Sequence, residues 1–96
     1  MRAWQVSHHG SPSAVLELGE RALPEPGPGR LRVRVLAAAL GLPDALMCAS
    51  AYAFSPPLPF VPGQEVCGIV DAVGSGVSLP IGTRVMGVTD FFDGHG

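Results

Sequence analysis

The chain turns on one stretch, Pro57-Leu58-Pro59-Phe60-Val61-Pro62-Gly63-Gln64-Glu65-Val66-Cys67-Gly68-Ile69-Val70-Asp71-Ala72-Val73-Gly74-Ser75-Gly76-Val77. Pro57, Pro59 and Pro62 fix φ and remove backbone donors, so the first half runs as a stiff extended loop that ends at Gly63. Val66, Ile69, Val70, Ala72 and Val73 are β-prone, and the Gly-Ser-Gly cluster after them supplies turn dihedrals. The second half therefore reads as a strand, with Gln64 and Glu65 at its start, directly after the bend. A polar pair held there can line a site, or it can hydrogen-bond its own loop.

The segments around this stretch are short. Residues 2–7, carrying Trp4 and Val6, suit an opening strand that His8-His9-Gly10-Ser11-Pro12 breaks, and Val15 to Glu20 suit its hairpin partner. Leu23 to Gly29, Leu-Pro-Glu-Pro-Gly-Pro-Gly, cannot form regular structure and serves as a stiff connector. Arg30, Arg32 and Arg34 then alternate with Leu31, Val33 and Val35, which predicts a strand with a solvated basic face and a buried apolar one, running on to Leu40. Pro43 and Asp44 mark the first turn of a short helix over Ala45 to Ala49. Tyr52 and Phe54 follow in a loop. Pro80 to Thr83 reads as a tight turn and Arg84 to Val88 as a last strand, after which Phe91 and Phe92 have no evident cover.

Composition narrows the class. In 96 residues, 47% hydrophobic with 13 Gly and 10 Pro, the expectation is one small, mainly β domain with a single short helix, a barrel or a sandwich. A net charge of -2 gives no reason to expect nucleic acid or an anionic membrane as partner. With no run long enough to span a membrane and a start interrupted by polar residues, a soluble cytoplasmic protein is expected. Cys48 and Cys67 read as free thiols, with Cys67 the buried, inert one. Gly74-Ser75-Gly76 is a turn and not a dinucleotide fingerprint, because Val77 and Pro80 prevent the helix that must follow. His8, His9, His95 and the cysteines lack the spacing of a zinc module.

Gly41-Leu42-Pro43-Asp44, Tyr52, Pro59-Phe60-Val61-Pro62-Gly63-Gln64-Glu65-Val66-Cys67-Gly68 and Gly82-Thr83-Arg84-Val85 together resemble the start of the catalytic domain of medium-chain dehydrogenase/reductases, over Met1 to Val88. The resemblance implies that residues 1–96 form a GroES-like, partly open β-barrel with one short helix, and that a Rossmann domain holding the nicotinamide cofactor lies outside this chain. Zinc enzymes of the superfamily carry a cysteine three residues before the aspartate, a histidine just before the glutamate and a hydroxyl just before the aspartate. Gly41, Gln64 and Pro43 stand there, so no zinc is expected.

The zinc-free quinone oxidoreductase branch is the more similar one, through Asp44, Tyr52, Gly63 and Glu65. This chain departs from it at Gly41, where that branch has asparagine, at Ser50, where it has glycine, and at Thr83, where it has aspartate. The implied function is the substrate-side domain of an NADP- or NAD-dependent reductase of quinones or α,β-unsaturated carbonyls, a homodimer as a whole. Tyr52 is then the catalytic hydroxyl, and Gly41, Asp44, Gln64 and Glu65 line the cleft. Two other readings remain: a non-catalytic GroES-like interaction module, and the enoylreductase segment of a polyketide synthase.

Overall fold

A computed structural model describes residues 1–96, except for the side chain of Phe92. Five strands make two antiparallel sheets. In the first, β1 (Arg2–Val6) pairs with β2 (Leu16–Glu20) from Arg2 opposite Glu20 to Val6 opposite Leu16. In the second, β4 (Glu65–Val73) lies between β3 (Leu31–Ala39) and β5 (Arg84–Val88). The mainly β architecture agrees with the sequence.

The helical content is larger than expected. The hairpin connection contains a one-turn helix, α1 (Pro12–Val15), so β2 begins at Leu16 and not at Val15. Proline in the first turn, where no backbone donor is needed, accounts for it. The second helix, α2 (Leu42–Cys48), follows β3, and a 3-10 turn closes Phe91–Asp93.

The proline-rich loop organises the core. Phe60 and Val6 exchange both backbone hydrogen bonds, at 2.8 and 3.0 Å, which sews the loop to β1. Phe60 is thereby packed with Val6, Val15, Met47 and Cys48, all buried, while Leu16, Tyr52 and Phe91 cover the cluster's edge. Burying each of the larger side chains contributes about 1.5–3 kcal/mol. Phe91, which the sequence left without cover, packs here; Phe92 lies outside the described side chains.

Three expectations about burial change. Cys48, on the inner face of α2, is the buried thiol, and Cys67 is half-buried; both are free. Arg32 is not solvated: its side chain is 18% exposed, its Nε donates to Asp71 Oδ1 at 2.8 Å, and its Nη1 donates to the Pro24 carbonyl. Arg30 pairs with Asp90 and Asp93, holding the C-terminal turn against the start of β3. The apolar residues of β3 are not buried as expected: Leu31 and Val33 are half-buried and Val35 is 55% exposed. Register shifts between Arg32 and Val33 and between Val35 and Ala37 bend this strand and break the simple alternation.

Candidate active site

The site is built from three chain segments that meet at Asp44. Gly41 takes extended backbone geometry before α2, and Pro43 sits in the first turn, so the carboxylate three residues past Gly41 falls back over the helix start. The Gly41 N–H donates to Asp44 Oδ2 at 2.9 Å. The other oxygen, Oδ1, accepts from the Gly63 N–H, also at 2.9 Å, across 19 residues of sequence. Asp44 is 7% exposed, and hydrogen bonds to a charged acceptor of this kind contribute about 1.5–3 kcal/mol each.

Gly63 ends the proline-rich loop with a φ of 118°, a left-handed value that glycine adopts without strain. Thr89, one residue past β5, fastens it from the far side. Its Oγ1 donates to the Gly63 carbonyl at 2.7 Å, and its N–H donates to the Gln64 carbonyl at 2.8 Å. The loop is thus held at Gly63 by Asp44 and Thr89, and β4 starts at Glu65 in fixed register, opposite Ala39 and Val88.

Between these segments lies a cleft of about 130 Å³, lined by Ala39, Leu40, Gly41, Pro43, Asp44, Gln64 and Glu65. It shares Leu40, Gly41, Asp44 and Glu65 with a broad apolar concavity of about 1360 Å³ over β3. The structure therefore gathers Gly41, Asp44, Gln64 and Glu65, the four residues singled out for the cleft. Gln64 lines the cleft, and its Nε2 is buried without a hydrogen-bond partner among the described residues.

Tyr52 is placed elsewhere. Its half-buried ring rests against the core cluster, and it lines neither cleft. Thr89 was not visible from sequence: nothing local distinguishes it, and its role depends on β5 delivering it to Gly63. Cys48, one turn after Asp44, has its thiol pushed up from the ordinary value, first by burial and then by the Asp44 charge.

At the positions where zinc enzymes of the superfamily carry ligands, this chain offers poor donors. Gly41 offers no side chain, Gln64 offers a neutral amide, and both oxygens of Asp44 already accept backbone hydrogens. Among the described residues no group of three or more His, Cys, Asp or Glu side chains is arranged for a metal. His9 instead hydrogen-bonds Ser55 Oγ through Nε2 at 3.0 Å and tilts over Phe60. No described helix is long and apolar enough to cross a membrane.

Comparison with known proteins identifies the family of this fold. Residues 27–95 match the family described as the alcohol dehydrogenase GroES-like domain. A probable quinone oxidoreductase of Schizosaccharomyces pombe is 37% identical over 89 residues, which are 91% of this chain and 26% of that protein. The mitochondrial enoyl-[acyl-carrier-protein] reductase of Bos taurus is 41% identical over 78 residues, 81% of this chain and 21% of that protein. Among solved structures, the Escherichia coli quinone oxidoreductase complexed with NADPH superposes with a TM-score of 0.82 at 30% identity, over 93% of this chain and 27% of that one. This chain thus spans about a quarter or less of these relatives' length, and with its Asp44-centred cleft it belongs to the alcohol dehydrogenase GroES-like domain family, within the quinone oxidoreductase-like medium-chain dehydrogenase/reductases.

Proposed function

We propose that this chain is the substrate-side domain of a zinc-independent NAD(P)H-dependent oxidoreductase that reduces quinones or α,β-unsaturated carbonyl compounds. The observation that carries the reading is the Asp44 carboxylate, which ties Gly41 to Gly63 and so holds open a small cleft whose donor set does not suit zinc. The kinship with quinone oxidoreductases and an enoyl reductase gives the chemistry its class.

In this reading the nicotinamide coenzyme, NADPH by preference, is held mainly by a Rossmann domain outside these 96 residues, since Gly74-Ser75-Gly76 is a turn packed on the Gly27 to Arg30 connector. Two solved relatives, one mycobacterial and one from Escherichia coli, are complexes with NADPH. The coenzyme supplies a hydride. The chain's residues position the acceptor: Asp44 fixes the walls, Gly41 leaves the room that a side chain would fill, and Glu65 sets the polarity of the rim. Without a metal, the developing oxyanion is stabilised by hydrogen bonds. The whole protein is proposed to be a cytoplasmic homodimer.

Steady-state assays of the full-length protein with NADPH or NADH and a panel of quinones, cyclic enones and enoyl thioesters test the function. Oxidation of NADPH that depends on such an acceptor is expected, and its absence across the panel overturns the reading. The proposed catalytic hydroxyl of Tyr52 is tested separately. Tyr52→Phe is expected to lower kcat about ten- to a thousandfold with KM less changed. An unchanged kcat/KM leaves Tyr52 its packing against the core alone.

A further inference from the structure

Among the described residues, Gln64 is the residue lining the small cleft whose side chain carries a buried donor without a partner. Both oxygens of Asp44 accept backbone N–H groups, whereas Gln64 Nε2 is buried with no partner among the described residues. A buried donor left unpaired is costly, and such a group is satisfied by any acceptor that enters. We propose that Gln64 is a specificity-determining residue, whose Nε2 donates a hydrogen bond to the oxygen of a neutral carbonyl in the substrate. This rests on the reductase reading above and names the group by which the substrate is recognised.

Neutrality follows from the surroundings. Ala39, Leu40, Gly41 and Pro43 bring no polar side chain, so nothing competes with Gln64 as a side-chain donor on that wall. The two ionisable groups lining the cleft, Asp44 and Glu65, are both carboxylates, and no cation accompanies them. A substrate carboxylate would meet like charge there, while a ketone, quinone or thioester oxygen would not. The backbone that carries the side chain is held in place, because the Gln64 main-chain carbonyl accepts from Thr89 N–H at 2.8 Å and the preceding Gly63 is tied to Asp44. Replacing the side chain leaves these backbone bonds in place.

The test uses isotope-labelled full-length protein and reads the Gln64 carboxamide protons by NMR, assigned through their loss in Gln64→Met or Gln64→Asn. Three probes of one ring size are titrated: cyclohexanone, methylenecyclohexane with carbon in place of oxygen, and cyclohexanecarboxylate. A downfield shift with the ketone alone is expected. No shift, or an equal shift with either of the others, overturns the proposal whether or not the protein turns over. In steady-state reduction of cyclohexenone, Gln64→Met should lower kcat/KM about ten- to a hundredfold at unchanged NADPH affinity and an undiminished melting temperature. Unchanged kcat/KM in an otherwise active enzyme overturns the proposal too. A ketone-specific shift in a protein that reduces no enone or quinone would instead overturn the reductase reading and leave the Gln64 contact standing.

Discussion

Asp44 is the residue on which the site's geometry depends, since one buried carboxylate holds two backbone N–H groups from separate segments. Asp44→Ala removes the acceptor and leaves Gly63 N–H buried without it, so a loss of about 3 kcal/mol in urea denaturation is expected. Cys48 sets a pH dependence. Burial, and then the Asp44 charge, push its thiol up, so the folded chain favours the neutral form more than the unfolded chain does. That contribution is complete below the ordinary thiol pKa and is lost as pH rises through the raised one. Alkaline titration of stability should therefore show a destabilisation that Cys48→Ala lacks. Asp44, Gln64 and Glu65 were legible in the sequence because their signals are local, a proline-marked helix start and a proline-braced bend. Thr89 and the order of burial of Cys48 and Cys67 were not, because they depend on which strands and helices meet.

At the scale of the elements, the end of α2 explains a residue that looked like a mere departure from pattern. Ser50 has φ 58°, and the bonds Ser50 N–H to Met47 O and Ala51 N–H to Leu46 O close the helix with a left-handed cap. A glycine there avoids the Cβ penalty of about 1–2 kcal/mol, less its larger unfolded-state entropy. Ser50→Gly should therefore stabilise the protein by about 0.5–1 kcal/mol in thermal or urea unfolding. Gly74 has the opposite sensitivity: a Cβ would lie 1.9 Å from the Gly27 carbonyl oxygen, where β4 turns against the connector. Gly74→Ala should cost about 1–3 kcal/mol or more through the forced backbone shift. The strands were legible from β-prone runs between Gly and Pro punctuation. The helix α1 was not, since four residues are too few for a helical period and only Pro12 marked it.

Across the whole molecule, the three-stranded sheet leaves apolar side chains uncovered on both of its faces, since Val35 pairs in register with Gly68 and Val85 whereas Met86 pairs with Cys67 and Val88 with Glu65. Val35 is 55% exposed on one face, Val88 69% and Met86 85% on the other, and Leu40, just past β3, 74%; the broad concavity runs over β3 and reaches Leu40 and Val88. Exposed apolar surface of this extent suits contact with further protein or substrate, and the 96-residue chain by itself is expected to bind an apolar dye such as ANS strongly. Alternation along β3 foretold one apolar and one basic face, but the register shifts between Arg32 and Val33 and between Val35 and Ala37 break that division, and the exposure of Val35 could not be read from the pattern. The same chain should show negligible NADPH affinity by calorimetry, having no helix N-terminus built for a pyrophosphate. Direct hydride delivery to a carbonyl-conjugated acceptor without a metal is the central claim. It is tested by treating the full-length protein with a chelator, supplying NADPH deuterated at the transferable position, and analysing reduced cyclohexenone by mass spectrometry. One deuterium bound to the ring carbon beta to the carbonyl is the predicted result. Product without the label, or reduction that returns only when zinc is added, would contradict it.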